Sequence, residues 1–206
     1  MSDVKSKIIN FLIGFCILIV SVSVAAVIAF NSGKKQGRRI AVDFDNLDML
    51  VELDRYESRY AFLPKYLDMY ICKMCDELSL DCDRAVAHLM VENPEFDFMA
   101  VSKPNENGTL DLGLWQLNDR YLWTTFMNRY WFDNIQLNPF NWKHNTYIAL
   151  HHMKYLEDKL KIEDDAIMAY NCGEGNVMNG TIPESTKVYL AKVKNNLILL
   201  KGSTND

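Results

Sequence analysis

Apolar residues recur every three or four positions over most of the chain, and this spacing predicts helices that each bury one face. No stretch alternates apolar and polar residues for long enough to build a large sheet. The fold class is therefore predicted to be mainly α, with one irregular region. The helices are predicted to begin at Pro64, at Ser79 or Asp81, at Asn138 and Pro139, near Asp164 and at Pro183.

The second predicted helix ends at a carboxylic acid. Ala85, Val86 and Leu89 lie on one apolar stripe. Pro94 disfavours a helical conformation for the residue before it, so the helix is predicted to stop there. Glu92 therefore lies in the last turn, against the apolar stripe rather than on a solvated face.

Two glycine-containing loops follow this acid along the chain. Residues 94–118 contain few helix formers and predict a long loop or a small β-hairpin around Asn107 and Gly108. A long irregular segment inside a compact domain is usually functional. The second loop is glycine-rich and follows a short helix that is predicted over residues 164–170. One positioned acid and two such loops are typical of a cleft that holds a sugar.

The N-terminal part of the chain contains one long apolar run. Residues 11–30 are uncharged and match the length of a helix that crosses a bilayer. An uncleaved signal anchor is favoured, because the run is long for a secretory signal. Cleavage after the small residues near 29 stays open. The predicted layout is a tail at 1–10, a transmembrane anchor at 11–30, a juxtamembrane linker at 31–62 and a folded domain at 63–200.

Charge and cysteine content exclude several classes of partner. The 206-residue chain has a net charge of −5, which gives no basic surface for nucleic acid. Cys72 and Cys75 form a CxxC pair without a second pair, so a metal or redox site is disfavoured. A buried helix face or one disulfide is favoured instead. His88 lies one helical turn before Glu92 and is expected to be a surface or packing residue rather than a metal ligand. No metal and no cofactor are expected.

Four motifs and a closing helix stand in a recognisable order. The helix-ending acid comes first, and an AVS stretch, a GLWQ stretch and an AYNCGEGNV stretch follow it. The closing helix carries Pro183, Thr186 and Tyr189. The series resembles the catalytic domain of soluble lytic transglycosylases and their goose-type lysozyme relatives. The motifs are Glu92, then residues 100–102, 113–116 and 169–177.

This resemblance implies a lysozyme-like fold and an enzyme that cleaves the β-1,4 linkage between MurNAc and GlcNAc in peptidoglycan. Glu92 would protonate the glycosidic oxygen and then accept the proton of the C6 hydroxyl, so that 1,6-anhydro-MurNAc forms. A raised pKa would let it donate near neutral pH. Substrate binding is predicted for Ser102, Asp111, Gly113, Gln116, Tyr170 and Asn171, with Tyr170 also a candidate partner of the Glu92 carboxyl.

A second resemblance leaves the reaction open. Residues 111–121 read DLGLWQLNDRY and are similar to the strand of animal-type lysozymes that carries a second carboxylate. Asp111 would then permit hydrolysis, provided that the two carboxyl groups lie about 5 Å apart. The alternative role for Asp111 is to brace its loop through hydrogen bonds to the backbone.

The chain also departs from the transglycosylase pattern. Asn93 replaces the serine that usually follows the acid, and Phe96 stands one residue late. Trp115 replaces a methionine and Cys172 an alanine. None of these changes removes the acid, but the shift after Glu92 bears on the local loop geometry.

The implied location is the bacterial inner membrane, with a single span and the folded domain on the periplasmic, cell-wall side. Four basic residues at 34–39 follow the span and by the positive-inside rule favour the opposite orientation. The implied chemistry outweighs that bias. Expected partners are peptidoglycan strands, the membrane through 11–30 and an assembly partner of a secretion system or flagellum. A non-catalytic peptidoglycan-binding or assembly protein is the alternative from another class.

Overall fold

A computed structural model describes residues 53–129 and 137–203 of the chain. The predicted tail at 1–10, the anchor at 11–30 and most of the linker at 31–62 lie outside these residues. Within the part that is described, no helix is long and apolar enough to cross a membrane.

The described residues are mainly helical, and one small antiparallel sheet interrupts the helices, as the sequence predicts. The sheet pairs β1 (Asp111–Leu112) with β2 (Leu117–Asn118). The helices are α1 (Lys65–Leu78), α2 (Cys82–Glu92), α3 (Leu122–Arg129), α4 (Trp142–Leu160), α5 (Glu163–Cys172), α6 (Glu174–Met178) and α7 (Glu184–Ser203).

Side-chain caps fix where two of these helices begin. Asp81 caps α2 by accepting a hydrogen bond from the backbone nitrogen of Arg84 at 3.3 Å. Asn141 caps α4 by accepting from Lys143 and His144. The third predicted helix therefore starts at Trp142 rather than at residues 138 and 139, which form a turn. The prediction that α2 ends at Glu92 is confirmed.

The core lies where α2, α5 and α7 pack together and α4 closes one side. The fully buried Trp115 inserts from the sheet region into this core, and its indole nitrogen donates to Thr146 Oγ1 at 2.9 Å. The sheet is thus fixed to a helix that also forms the core. Other fully buried side chains are Ile71, Val86, Leu89, Leu114, Ile148, Leu150, Leu156, Ile167 and Val193.

The hairpin differs from its predicted position. Residues around Asn107 and Gly108 do form a turn, in which Gly108 nitrogen donates to Asn105 oxygen at 2.8 Å. The ladder itself forms later, and its turn lies at Gly113 and Gln116. Gly113 has a φ of +74°, a conformation that favours glycine, so the chain reverses there.

The packed unit also includes part of the segment predicted as linker. Buried Asp68 on α1 accepts hydrogen bonds from Tyr56 Oη and from the backbone nitrogens of Arg59 and Tyr60. Asp83 on α2 accepts from the Tyr60 hydroxyl at 2.6 Å. Residues 56–60 are therefore tied to the first two helices, which moves the start of the folded unit before residue 63.

Cys72 and Cys82 form a disulfide between α1 and the first residue of α2. This resolves one of the alternatives that the cysteine spacing left open. We expect the double variant Cys72→Ser with Cys82→Ser to lose about 2–4 kcal/mol of unfolding free energy, because the cross-link restricts the unfolded chain. Urea denaturation with and without reductant measures this. Reductant should lower the unfolding free energy of the wild type only. Equal unfolding free energies for both proteins without reductant would contradict the prediction.

Candidate active site

Glu92 is held by a tyrosine from a distant part of the chain. The acid ends α2, which packs against α7. Tyr189 on α7 donates its hydroxyl proton to Glu92 Oε1 at 2.6 Å. The bond spans 97 residues of sequence and fixes the carboxyl where α2 ends.

Burial makes Glu92 a weak acid. Removal from water raises the pKa of its carboxyl from 4.5 to about 8, because the charged form is disfavoured. The negative charge of Asp111 raises the pKa further, whereas the hydrogen bond from Tyr189 opposes the shift. Glu92 is therefore protonated at neutral pH and is able to donate.

His88 lies one turn before Glu92 and is 3% exposed. Its Nδ1 is 2.9 Å from the hydroxyl oxygen of Tyr189, and its ring packs at 5.2 Å from that of Tyr170. Burial lowers the pKa of the imidazole to about 3, with a contribution from the positive charge of Arg84. His88 is thus a neutral, buried residue, which selects packing over a surface position, and it also takes part in the hydrogen bonds of the site.

The acid opens onto a cleft with a volume of about 740 Å³. Of the predicted binding residues, Asp111, Gln116, Tyr170 and Asn171 line this cleft together with Glu92, whereas Ser102 and Gly113 do not. Both predicted loops therefore meet at the acid. The polar and aromatic groups that complete the lining include Asn105, Asn107, Thr109, Asn118, Tyr121, His151, His152, Tyr155, Glu174 and Asn176.

Asp111 is bound within its own loop. Its two carboxylate oxygens accept from Asn118 Nδ2 at 3.0 Å and from Asn105 Nδ2 at 3.2 Å. Its backbone nitrogen donates to Ser102 Oγ at 2.9 Å. These bonds connect β1 and β2 to the turn that precedes them, so they favour the bracing role over that of a second catalytic carboxylate.

Ser102 and Gly113 support the loop instead of facing the cleft. The Ser102 hydroxyl donates to the carbonyl of Lys103 and accepts from the backbone of Asp111. A Cβ atom on Gly113 would lie 2.3 Å from Pro139 oxygen and 2.6 Å from Asn145 Nδ2. Glycine at this position therefore lets the backbone of the turn approach Pro139 and Asn145, whereas the sequence predicted that Gly113 binds substrate.

Asn145 is a site residue that the sequence did not reveal. It is fully buried on α4, and its Nδ2 donates to the carbonyls of Leu112 at 3.0 Å and Pro139 at 2.9 Å. Its Oδ1 accepts from the backbone nitrogen of Trp115 at 2.8 Å. One side chain therefore fixes the turn that carries Gln116. The sequence feature that could have identified Asn145 is a polar amide among the apolar residues of α4.

Tyr170 and Asn171 lie at the end of α5. The Tyr170 hydroxyl donates to the carbonyl of Trp115 at 3.2 Å, so the tyrosine bonded to Glu92 is Tyr189 and not Tyr170. Asn171 Oδ1 accepts from Thr186 Oγ1 at 2.8 Å. The second loop is thereby joined to the closing helix.

The departure after Glu92 has a structural answer. Asn93 is buried and its side chain closes a ring with Asp97, donating to the carbonyl at 2.6 Å and accepting from the nitrogen at 3.1 Å. Phe96 takes a φ of +54° inside this ring. This ring lies directly after the acid, in the loop that carries the shifted Phe96.

Within the described residues, no three His, Cys, Asp or Glu side chains are grouped to hold a metal ion, and the absence of a cofactor stays a prediction.

Two comparisons with known proteins gave matches. Residues 83–187 match the model of the family described as transglycosylase SLT domain. The X-ray structure of an inactive mutant of lytic transglycosylase Slt from Pseudomonas aeruginosa is similar with a TM-score of 0.53 at 13% identity. The likeness covers 66% of this chain and 24% of that one, so it concerns the fold alone. No curated protein sequence matches the chain.

Proposed function

This chain belongs to the transglycosylase SLT domain family, and we propose that it is a lytic transglycosylase that cleaves the MurNAc–GlcNAc β-1,4 linkage of peptidoglycan. The observation that carries the proposal is the Glu92 carboxyl, which lies half-buried at the cleft and accepts a hydrogen bond from Tyr189, and whose pKa is raised to about 8. A general acid must hold its proton at the working pH, and Glu92 does so.

The proposed reaction uses this one carboxyl twice. Glu92 first gives its proton to the glycosidic oxygen while the bond from that oxygen to C1 of MurNAc breaks. The carbonyl oxygen of the N-acetyl group of the same sugar stabilises C1 by bonding to it. The Glu92 carboxylate then accepts the C6 hydroxyl proton, and O6 displaces the carbonyl oxygen at C1. The product is 1,6-anhydro-MurNAc, no water is consumed, and Glu92 ends protonated.

Mass spectrometry of muropeptides tests this proposal. Purified peptidoglycan would be incubated with the full-length chain, with a Glu92→Gln variant run in parallel. Products lighter by one water than hydrolysed muropeptides, absent with the variant, are expected. Reducing-end products would instead assign the chain as a hydrolase, and no products from the folded protein would favour a binding or assembly role.

Asp111 decides between the transglycosylase and the hydrolase. We expect Asp111→Asn to retain anhydro products and to lose about 1–3 kcal/mol of stability, because the amides of Asn105 and Asn118 lose a charged acceptor. A second catalytic carboxylate would instead cost on the order of 10²–10⁴-fold in rate. Initial rates and thermal unfolding of the same variant separate these outcomes.

The proposed location is the bacterial inner membrane, with the folded domain on the cell-wall side. The uncharged run at 11–30 supports an anchor, and a removed secretory signal is the alternative. The Cys72–Cys82 disulfide supports an oxidising compartment outside the cytoplasm. Membrane fractionation with protease treatment of spheroplasts tests it, since a cytoplasmic domain would stay protected. A secretion or flagellar assembly partner is compatible with this placement.

A further inference from the structure

Three side chains from two helices form a continuous line of hydrogen bonds that ends at the acid. His88 Nδ1 lies 2.9 Å from Tyr189 Oη, and Tyr189 Oη lies 2.6 Å from Glu92 Oε1. The tyrosine hydroxyl has one proton and can donate it to one neighbour only. The direction of one hydrogen bond therefore fixes the direction of the other.

Two arrangements of protons satisfy this geometry while Glu92 is protonated. In the first, His88 donates from Nδ1 to the Tyr189 oxygen, Tyr189 donates to Glu92 Oε1, and the carboxyl proton sits on Oε2. In the second, Tyr189 donates to an unprotonated Nδ1, and Glu92 donates from Oε1 to Tyr189. The second arrangement directs the acidic proton into the protein, away from any substrate.

We propose that His88 is a positioning residue, which donates from Nδ1 to Tyr189 and thereby keeps the Glu92 proton on Oε2, the oxygen that does not accept the bond from Tyr189. This inference rests on the proposed function, because it concerns which oxygen of the acid reaches the substrate. His88 acts through Tyr189 and is not among the residues that line the cleft.

The surroundings of the imidazole support the neutral form that this role requires. Arg84 precedes it on α2, and Glu157 from α4 lines the same small pocket as both residues. Tyr170 of α5 and Tyr189 of α7 pack against its ring. The positive charge of Arg84 and the burial of the ring disfavour an imidazolium, and the lowered pKa of His88 agrees with that geometry.

The tautomer can be measured without any assay of activity. Nitrogen NMR of the full-length protein labelled with ¹⁵N-histidine distinguishes a protonated Nδ1 from a protonated Nε2. The chain has four histidines, and a His88→Leu variant identifies the signals of His88 by their loss. Protonated Nδ1 and unprotonated Nε2 at neutral pH are expected. Protonated Nε2 with unprotonated Nδ1 would overturn the proposal.

Kinetics test whether the histidine acts through the tyrosine. We expect His88→Leu to lower kcat about tenfold at unchanged KM, because it removes one hydrogen bond that orients the acid. His88→Asn should recover most of this loss, since its amide nitrogen occupies the place of Nδ1. In a Tyr189→Phe background, His88→Leu should have no further effect on kcat.

Controls separate this role from a structural one. Val86→Ala, a fully buried change on the same helix, should lower the melting temperature without changing kcat. Equal effects of His88→Leu in both backgrounds, or an unchanged kcat, would contradict the inference. If the wild type releases no anhydro products but the NMR shows protonated Nδ1, then the proposed function fails while the tautomer assignment stands.

Discussion

Replacing Glu92 by Gln is expected to abolish strand cleavage while the fold persists. Gln has the same shape, and its oxygen can still accept the hydrogen bond that Tyr189 donates to Glu92 at 2.6 Å. It has no proton that it can give to a leaving oxygen. Because the proposed reaction uses one group for both proton transfers, we expect a loss of at least about 10³-fold in kcat. Release of soluble muropeptides measures this, and near-normal release by the variant would remove Glu92 from the mechanism.

The same carboxyl is expected to set the pH range in which the wild-type protein is active. With a pKa of about 8, Glu92 donates its proton below that pH and cannot do so above it. The rate should therefore fall on the alkaline side with an apparent pKa near 8. If the rate instead fell with an apparent pKa near 4.5, the usual value for a Glu carboxyl, this would show that the acid is not desolvated in solution.

Stability should respond to pH in the opposite sense to that of a salt-bridged acid. The Glu92 pKa is raised on folding, so between pH 4.5 and 8 the folded state binds a proton that the unfolded state releases. The contribution of Glu92 is full below pH 4.5 and is lost as the pH rises through 8. The Glu92→Gln variant lacks this pH dependence. Its melting temperature should therefore rise relative to that of the wild type as the pH increases from 4.5 to 8.

The position of this acid could be predicted from local sequence, but its partner could not. Pro94 and the apolar stripe of α2 predict a helix that ends at Glu92, because both act over a few residues. Tyr189 lies 97 residues away, and only the packing of α2 against α7 brings the two together. The motif order named Tyr189 as part of the closing helix without saying which group it contacts.

The closing helix also shows how periodicity can mislead. The pattern of α7 predicts an inward face made of Val188, Tyr189, Val193, Leu197 and Leu199. Tyr189 and Val193 are buried as predicted, whereas Val188 and Leu199 are 51% and 64% exposed. The buried face follows Tyr189, Val193 and Leu200, with intervals of four and seven residues. Apolar residues lie on several sides of this helix, so composition alone cannot select the face that meets α2.

Substituting Asn145 is expected to have the second largest effect, although it is not among the residues that line the cleft. Asn145→Ala removes two donors and one acceptor that connect α4 to Leu112, Trp115 and Pro139. The buried nitrogen of Trp115 would then have lost its acceptor, and two carbonyls would have lost a donor. We expect about 3–5 kcal/mol of destabilisation, measured by urea denaturation.

Activity should fall beyond what this instability explains. The turn that Asn145 holds carries Gln116, whose φ of +47° and bond to Gly113 oxygen place it in the cleft. A displacement of about 1 Å in a positioning group can cost roughly 10²-fold. Leu150→Ala is the matched control, because Leu150 is fully buried on the same helix and should lose stability alone. The assay would be run well below the melting temperatures of both variants. If both then show the kcat/KM of the wild type, the turn needs no support from Asn145. If only Asn145→Ala loses activity, the geometry of the turn that carries Gln116 depends on one buried amide.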